Sequence, residues 1–247
     1  MLTEERFSAI LERLQDKKAV TVAELTKLLE TSESTIRRDL NTLHDMGKLK
    51  KVHGGATLCN EAYLTKEEDV PTKSQHYVTE KECIAKYAAT FIEDEDFVYI
   101  DAGTTTERLI DYIGETKATF VTNGIVHAKK LIQKGFKAYV VGGQLKLSTE
   151  AIVGAEALSN LKKYNFTKCF LGTNGITLDS GFSTPDVEEA LIKMEAVNRT
   201  HKVFVLADHS KFGKQSSVSF ANLDQAVIIT DELMDDRYKE QTVIKEV

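Results

Sequence analysis

Five apolar runs in the larger part of the chain each end in a turn of small and polar residues: DAGTT at 101–105, TNG at 122–124, GG at 142–143, GTNG at 172–175 and DHSK at 208–211. In an open α/β sheet the carboxyl ends of the strands gather on one edge, the usual place for a ligand crevice. Asp101, Gly103, Thr104 and Thr105 lead directly into a helical pattern, and the free N–H groups and positive dipole end of a helix start suit a phosphate. The threonine hydroxyls add donors and Lys211 a compensating charge. Asp101 and Asp208 would accept hydrogen bonds from sugar hydroxyls. A phosphorylated sugar meets both demands.

Other chemistries find little support. No GxGxxG follows a strand, since VVGGQLKLSTEAIVG has other spacing, so no dinucleotide cofactor is expected. His44, His53, His76, His127, His201 and His209 show no HExxH or other close ligand spacing, so no metal site is expected. GxSxG is absent, and Ser, His and Asp show no readable nucleophile arrangement.

A second constellation lies near the N-terminus, in TSESTIRRDLNTLHDMGKLKKVHGG at 31–55. Ile36, Leu40 and Leu43 form one helical stripe, and Ser34, Arg37, Arg38 and Asn41 form another. If the apolar stripe packs inward, the Ser/Arg/Arg/Asn stripe faces out. A helix of this width fits the major groove of B-DNA, where Arg can donate twice to guanine and Asn can pair with adenine. Lys48, Lys50, Lys51 and His53 would meet phosphates or the neighbouring groove. The competing reading is a solvated helix whose arginines pair with Glu33 or Asp39.

The elements that must position these residues are legible in the periodicity. Phe7, Ile10, Leu11 and Leu14 give a first amphipathic helix. Thr21 and Glu24 form a capping box for a second, carrying Leu25, Leu28 and Leu29, and Ser32 can cap the third. The third ends at Gly47, before the lysine-rich KLKKVHGGA, so residues 1–58 read as a winged helix-turn-helix domain. Residues 59–75, polar and weakly periodic with one proline, read as a linker. Residues 76–247 alternate strands and helices: a capping box at Thr79 and Glu82 opens a helix, and the strands are apolar on both faces. That pattern predicts a mainly parallel sheet covered by helices. After KAYVVGG only a polar connection is expected before CFLGTNG.

Charge follows the same division. The chain of 247 residues carries 32 Lys and Arg against 38 Asp and Glu, a net −6, yet residues 37–51 hold five cations and two anions. A locally basic end on an acidic body fits one charged partner held at that end. Cys59, Cys83 and Cys169 are far apart, without a CxxC pair, which points to a reducing compartment. No apolar run has the length of a membrane span and no signal peptide is readable, so a cytoplasmic protein without membrane partners is expected.

The run from Arg6 through STIRRDL to KVHGGA resembles, position by position, the winged helix-turn-helix signature of the DeoR-type family of bacterial transcriptional repressors. The resemblance implies operator double-stranded DNA as partner, with Ser32, Ser34, Thr35, Arg37 and Arg38 as contacts and Lys50, Lys51 and His53 as wing contacts. The remaining chain is similar to the same family's effector domain, whose fold is related to ribose-5-phosphate isomerase and which binds a phosphorylated sugar without turning it over. The family's motifs land on Asp101, Gly103, Thr104 and Thr105; on Thr122 and Asn123; on Gly142 and Gly143; on Gly172, Asn174 and Gly175; and on Asp208, Ser210 and Lys211. Lys73 and Lys81 match its basic positions. The isomerase's lysine followed by three glycines is absent, since Val141 precedes only Gly142 and Gly143, and no catalytic residue is expected. The resemblance further implies a homo-oligomer, dimer or tetramer, and is closest to members governing fructose uptake. An isomerase-like enzyme with a DNA tether, or an activator, are the alternatives.

Overall fold

The computed structural model describes residues 3–17, 19–46, 48–57, 62–64 and 68–247, and the chain divides into two compact units, Met1–Ala62 and Tyr63–Val247. The boundary expected at residue 58, Gly47 as a helix end and Cys59 lie outside the described residues.

The smaller unit runs α1 (Thr3–Lys17), β1 (Ala19–Thr21), α2 (Val22–Leu28), α3 (Glu33–Asp45), β2 (Lys50–Val52) and β3 (Gly55–Thr57). Its core is built from the expected stripes: Ile10, Leu14, Leu25, Ile36, Leu40 and Leu43 are all fully buried, each contributing roughly 1.5–3 kcal/mol by leaving water. Thr21 accepts a hydrogen bond from the Glu24 amide at 3.1 Å, and Ser32 accepts one from the Thr35 amide at 3.2 Å, so both N-caps form. The expected capping box is only half made, because the Glu24 carboxylate accepts from Lys17 at 2.6 Å and Arg13 at 3.3 Å instead. The wing is an antiparallel sheet in the order β1-β3-β2. Its glycines are needed. Gly54 turns the hairpin at φ +81°, and a side chain on Gly55 would put a carbon 2.1 Å from the Val20 carbonyl oxygen.

The larger unit opens with β4 (Ala62–Leu64), α4 (Val70–Gln75), α5 (Val78–Ala89), β5 (Phe97–Ile100), α6 (Thr104–Tyr112), β6 (Thr119–Thr122), α7 (Ile125–Gln133) and β7 (Lys137–Val140). It continues with β8 (Gln144–Lys146), β9 (Ala151–Val153), α8 (Ala155–Leu161), β10 (Phe166–Gly172), β11 (Gly175–Thr177), β12 (Gly181–Thr184) and α9 (Val187–Asn198). β13 (Thr200–Leu206), β14 (Lys214–Ser216), β15 (Val218–Ala221), β16 (Val227–Thr230) and β17 (Ile244–Glu246) complete it. Seven strands form one sheet in the order β17-β16-β13-β10-β5-β6-β7, parallel at every pairing. Alternate residues feed two cores. Val98, Ile100, Phe170 and Phe204 pack under α5, α6 and α7, whereas Tyr99, Cys169, Val203 and Val205 pack under α8, α9 and the small antiparallel sheet β11-β12-β15.

Three expectations change. The far part of the linker is ordered: Asp69 caps α4 by accepting from the Thr72 amide at 3.0 Å, with Pro71 in the first turn. Six residues are too few for periodicity to reveal a helix. α5 is not opened by a Thr79–Glu82 box: its N-cap is Tyr77, at φ 52°, without a side-chain cap. Glu82 instead accepts from Arg108 at 2.9 Å, a tertiary ion pair that outcompetes the local bond. The connection after Gly143 holds the β8-β9 hairpin and α8, whose start is set by Gly154 at φ +94°. Among the described residues, no helix is long and apolar enough to cross a membrane.

Candidate functional site

In the smaller unit α3 presents Ser34, Arg37, Arg38 and Asn41 to solvent while Asp39 turns inward. Asp39 is 3% exposed and accepts from Arg6 at 2.8 and 3.1 Å, which removes it as a partner for the outer arginines. Arg37 meets Glu33 at 3.2 Å, with both side chains more than half exposed; such a pair contributes little and yields readily to a phosphate or base. The Arg38 guanidinium makes no ion pair among the described residues. Ser32, Ser34 and Thr35 form a hydroxyl cluster at the helix start, with oxygens 2.8 and 2.9 Å apart. Lys51 donates to Asn41 at 2.6 Å, joining wing to helix, and Lys50 and His53 are exposed beside it. The eight residues expected to touch DNA thus lie on one short helix and its wing.

In the larger unit the carboxyl ends of β5, β10 and β13 open into a cavity of about 260 Å³. That is just below the roughly 300–1,000 Å³ of drug-sized sites, and suits a ligand smaller than a dinucleotide. Its lining includes five lysines, Lys73, Lys81, Lys193, Lys211 and Lys214, against two carboxylates, Glu68 and Glu189. Gly103, Thr104 and Thr105 bring the start of α6 to it, where the first N–H groups have no acceptor within the helix. Burial pulls the Lys81 ammonium down to about 8, against the opposing attraction of Asp208 and with Lys211, Arg108 and Lys73 adding to the fall. Lys211 is lowered by burial too, again countered by Asp208. Cations held below their ordinary range by desolvation and by each other are poised to take up an anion.

The expected residues separate into lining and scaffold. Lys73, Lys81, Gly103, Thr104, Thr105, Gly172, Asn174, Ser210 and Lys211 line the cavity. The others do not. Asp101 was expected to meet sugar hydroxyls, but it is 2% exposed, accepts from the Gly172 amide at 3.1 Å and is ion-paired with Lys193. Asp208 is 1% exposed and accepts from the Ser210 amide at 3.1 Å and from the Ser210 hydroxyl, capping the turn that presents Lys211. Thr122 accepts from the Gly124 amide at 3.0 Å, closing the turn after β6, and Asn123 accepts from the Ala102 amide at 2.9 Å, holding the turn after β5. Gly142 and Gly143 pack against α8 and β9, and Gly175 against the Lys214 backbone. These seven residues therefore hold the walls, while their motif neighbours form them.

The lining also contains residues the sequence reading missed: Thr149, Thr173, Glu189, Lys193, Lys214, His76 and Tyr77. Glu189, at 7% exposure, accepts from Thr149 at 2.6 Å and from Lys146 at 2.9 Å. Lys193, one turn along α9, also donates to the Gly172 carbonyl at 3.0 Å. Two charges on the inward stripe that holds Ala190 and Ala196 were the available signal. Tyr77 sets its ring edge-on against His209 at 5.1 Å, and His209 is held by Asp231 at 2.5 Å. No group of three or more His, Cys, Asp or Glu able to hold a metal occurs among the described residues.

Comparison with known proteins places both units. Residues 6–62 match the DeoR-like helix-turn-helix domain and residues 76–232 the DeoR C terminal sensor domain. The chain is 45% identical over 251 residues to the uncharacterized HTH-type transcriptional regulator FruR of Bacillus subtilis (strain 168), covering 100% of this chain and 99% of that protein. It is 36% identical to the HTH-type transcriptional regulator IolR of the same strain, covering 89% and 87%. It is 32% identical to the lactose phosphotransferase system repressor of Staphylococcus aureus (strain NCTC 8325 / PS 47), covering 94% and 93%. Among solved structures, ribose 5-phosphate isomerase A from Methanocaldococcus jannaschii aligns with a TM-score of 0.40 and 15% identity over 53% of each chain.

Proposed function

Because the chain belongs to the DeoR family of helix-turn-helix transcriptional regulators, we propose that it represses a sugar catabolism or phosphotransferase operon and leaves its operator when a phosphorylated sugar fills the lysine-lined cavity. It is a DNA-binding regulator, not an enzyme. The observation that carries the reading is the cavity at the carboxyl edge of the parallel sheet, with five lysines to two carboxylates, in the same chain as the exposed arginines of α3. Ser32, Ser34, Thr35, Arg37 and Arg38 read the operator, with Lys50, Lys51 and His53 on the wing. A homo-oligomer, dimer or tetramer, sets two recognition helices in successive major grooves. The liganded state spaces them differently, and its unequal affinity for DNA makes the switch. A tenfold change in DNA affinity needs only about 1.4 kcal/mol of coupling.

Fructose 1-phosphate is the first candidate ligand, in keeping with the likeness to the protein named FruR. Tagatose 6-phosphate and the phosphates of glycerol metabolism are the competitors. The test is fluorescence anisotropy of a duplex from the protein's own promoter, first against a scrambled duplex over a range of salt, then with a panel of phosphorylated sugars. Selective binding followed by release by one sugar phosphate is the expected result. Equal grip on the scrambled duplex, or no release by any member of the panel, overturns the reading.

A further inference from the structure

The two helical layers meet the cavity with different chemistry. α5 belongs to the layer over Val98 and Ile100 and brings Lys81, while α9 belongs to the layer over Tyr99 and Leu171 and brings Glu189 and Lys193. These are opposite faces of one sheet, so the two helices flank its carboxyl edge from either side. The charges divide in the same way. Those acting on Lys211 are Asp208, Lys214, Lys73 and Glu68, whereas those acting on Asp101 are Lys193 and Glu189.

On the α9 side carboxylates outnumber cations, with Lys146 and Lys193 facing Asp101, Glu189 and Asp186. The Lys193 ammonium is committed to Asp101 and to the Gly172 carbonyl, and Glu189 to Lys146 and Thr149. In the lysine cluster the balance is reversed: Lys81 is drawn to Asp208, and Lys211 to Asp208 and Glu68, while Lys73 and Lys214 add further positive charge. A dianion is therefore accepted at the lysine cluster. At the α9 side, a neutral hydroxyl can donate to Glu189, which has lone pairs beyond those used by Thr149 and Lys146. A second phosphate there would meet a largely buried carboxylate whose cationic neighbours are already paired, and like charges in a desolvated site repel strongly.

Resting on the sugar-phosphate reading above, we propose that the Glu189 wall is the hydroxyl-reading half of the site, so that the ligand is a sugar phosphorylated at one end and a sugar phosphorylated at both ends is rejected. Glu189 is then a specificity-determining residue, through its negative charge.

Isothermal titration of the full chain with fructose 1-phosphate, tagatose 6-phosphate, fructose 1,6-bisphosphate and inorganic phosphate tests this. The expected result is that at least one monophosphate binds about tenfold or more tighter than the bisphosphate, and that Glu189→Gln brings the two within roughly threefold. Thr149→Val, which frees one Glu189 lone pair without removing the charge, keeps the preference and serves where the glutamine variant fails to fold. A bisphosphate that binds as tightly as every monophosphate overturns the proposal while leaving the sugar-phosphate reading standing. An unchanged ratio in Glu189→Gln, or a preference lost in Thr149→Val, overturns it as well. If none of the phosphorylated probes binds, the underlying reading fails and this one with it.

Discussion

If a phosphorylated sugar binds at Lys81 as proposed, its binding should weaken at alkaline pH by an amount that follows from the lysine's depressed pKa. Its ammonium titrates near 8 in the empty cavity, against an ordinary value of 10.5, because it is 3% exposed and crowded by other cations. A phosphate ester is fully dianionic above about pH 7.5, its second ionisation lying near 6, so any change at higher pH belongs to the protein. Binding the dianion favours the charged lysine and raises its pKa. Above pH 8 the free protein must take up a proton in order to bind. About nine-tenths of Lys81 is charged at pH 7 and about one-tenth at pH 9, so affinity should fall about tenfold over that interval. Lys211, lowered in the same direction, can only steepen the fall. Isothermal titration of fructose 1-phosphate between pH 7 and 9.5, repeated with Lys81→Met, measures it. The variant should bind more weakly at pH 7 and lose about one proton from the slope. Affinity that is flat to pH 9.5 in the native chain, or a slope unchanged in the variant, would refute the reasoning.

The remaining expectations address each unit in turn. Arg37→Ala should cost roughly 1 to 3 kcal/mol of specific operator binding if the side chain reads guanine, and leave sugar-phosphate binding intact; anisotropy that does not move takes Arg37 off the contact surface. Lys211→Ala should keep operator binding but lose release by the sugar phosphate, and release at the native ligand concentration would argue against its role. His127, buried against Gly103 and Thr106, is depressed by burial to about 4 from an ordinary 6.5. The unfolded chain therefore takes up this proton first, and stability is lost as pH falls from 6.5 toward 4, by roughly 3 kcal/mol in full. Urea midpoints at pH 7 and pH 4.5 should draw closer together in His127→Gln.

The helix stripe and wing proposed to read DNA are legible in the sequence because they are local. The Ser32 cap, both stripes and the lysine wing all lie within 31–55, and the features that make such a helix are set by neighbours three or four residues apart. What sequence could not assign was Asp39, one residue from the outer arginines yet directed to Arg6, 33 positions earlier. The parallel sheet was readable from two-faced apolar strands, and so was the edge where a ligand would lie. The roles of individual edge residues were not. Asp101 looks like a hydroxyl acceptor until Lys193, 92 positions away, is seen to occupy it, and Glu189 looks like surface charge until Thr149 is found against it. Such assignments depend on contacts between distant segments. α4 and α8, of six and seven residues, are too short to leave a periodic trace.

Tyr77 turns the chain between α4 and α5 with a left-handed backbone, a conformation that costs a residue with a side chain on the order of 1 kcal/mol. The elbow joins two helices that both contribute to the cavity wall, and the contact helping to offset its cost is the tyrosine ring's edge against His209. A molecule entering the cavity and pushing that ring aside would strip the bend of its support. The wall thus includes a strained bend beside the site, braced by aromatic neighbours on two sides.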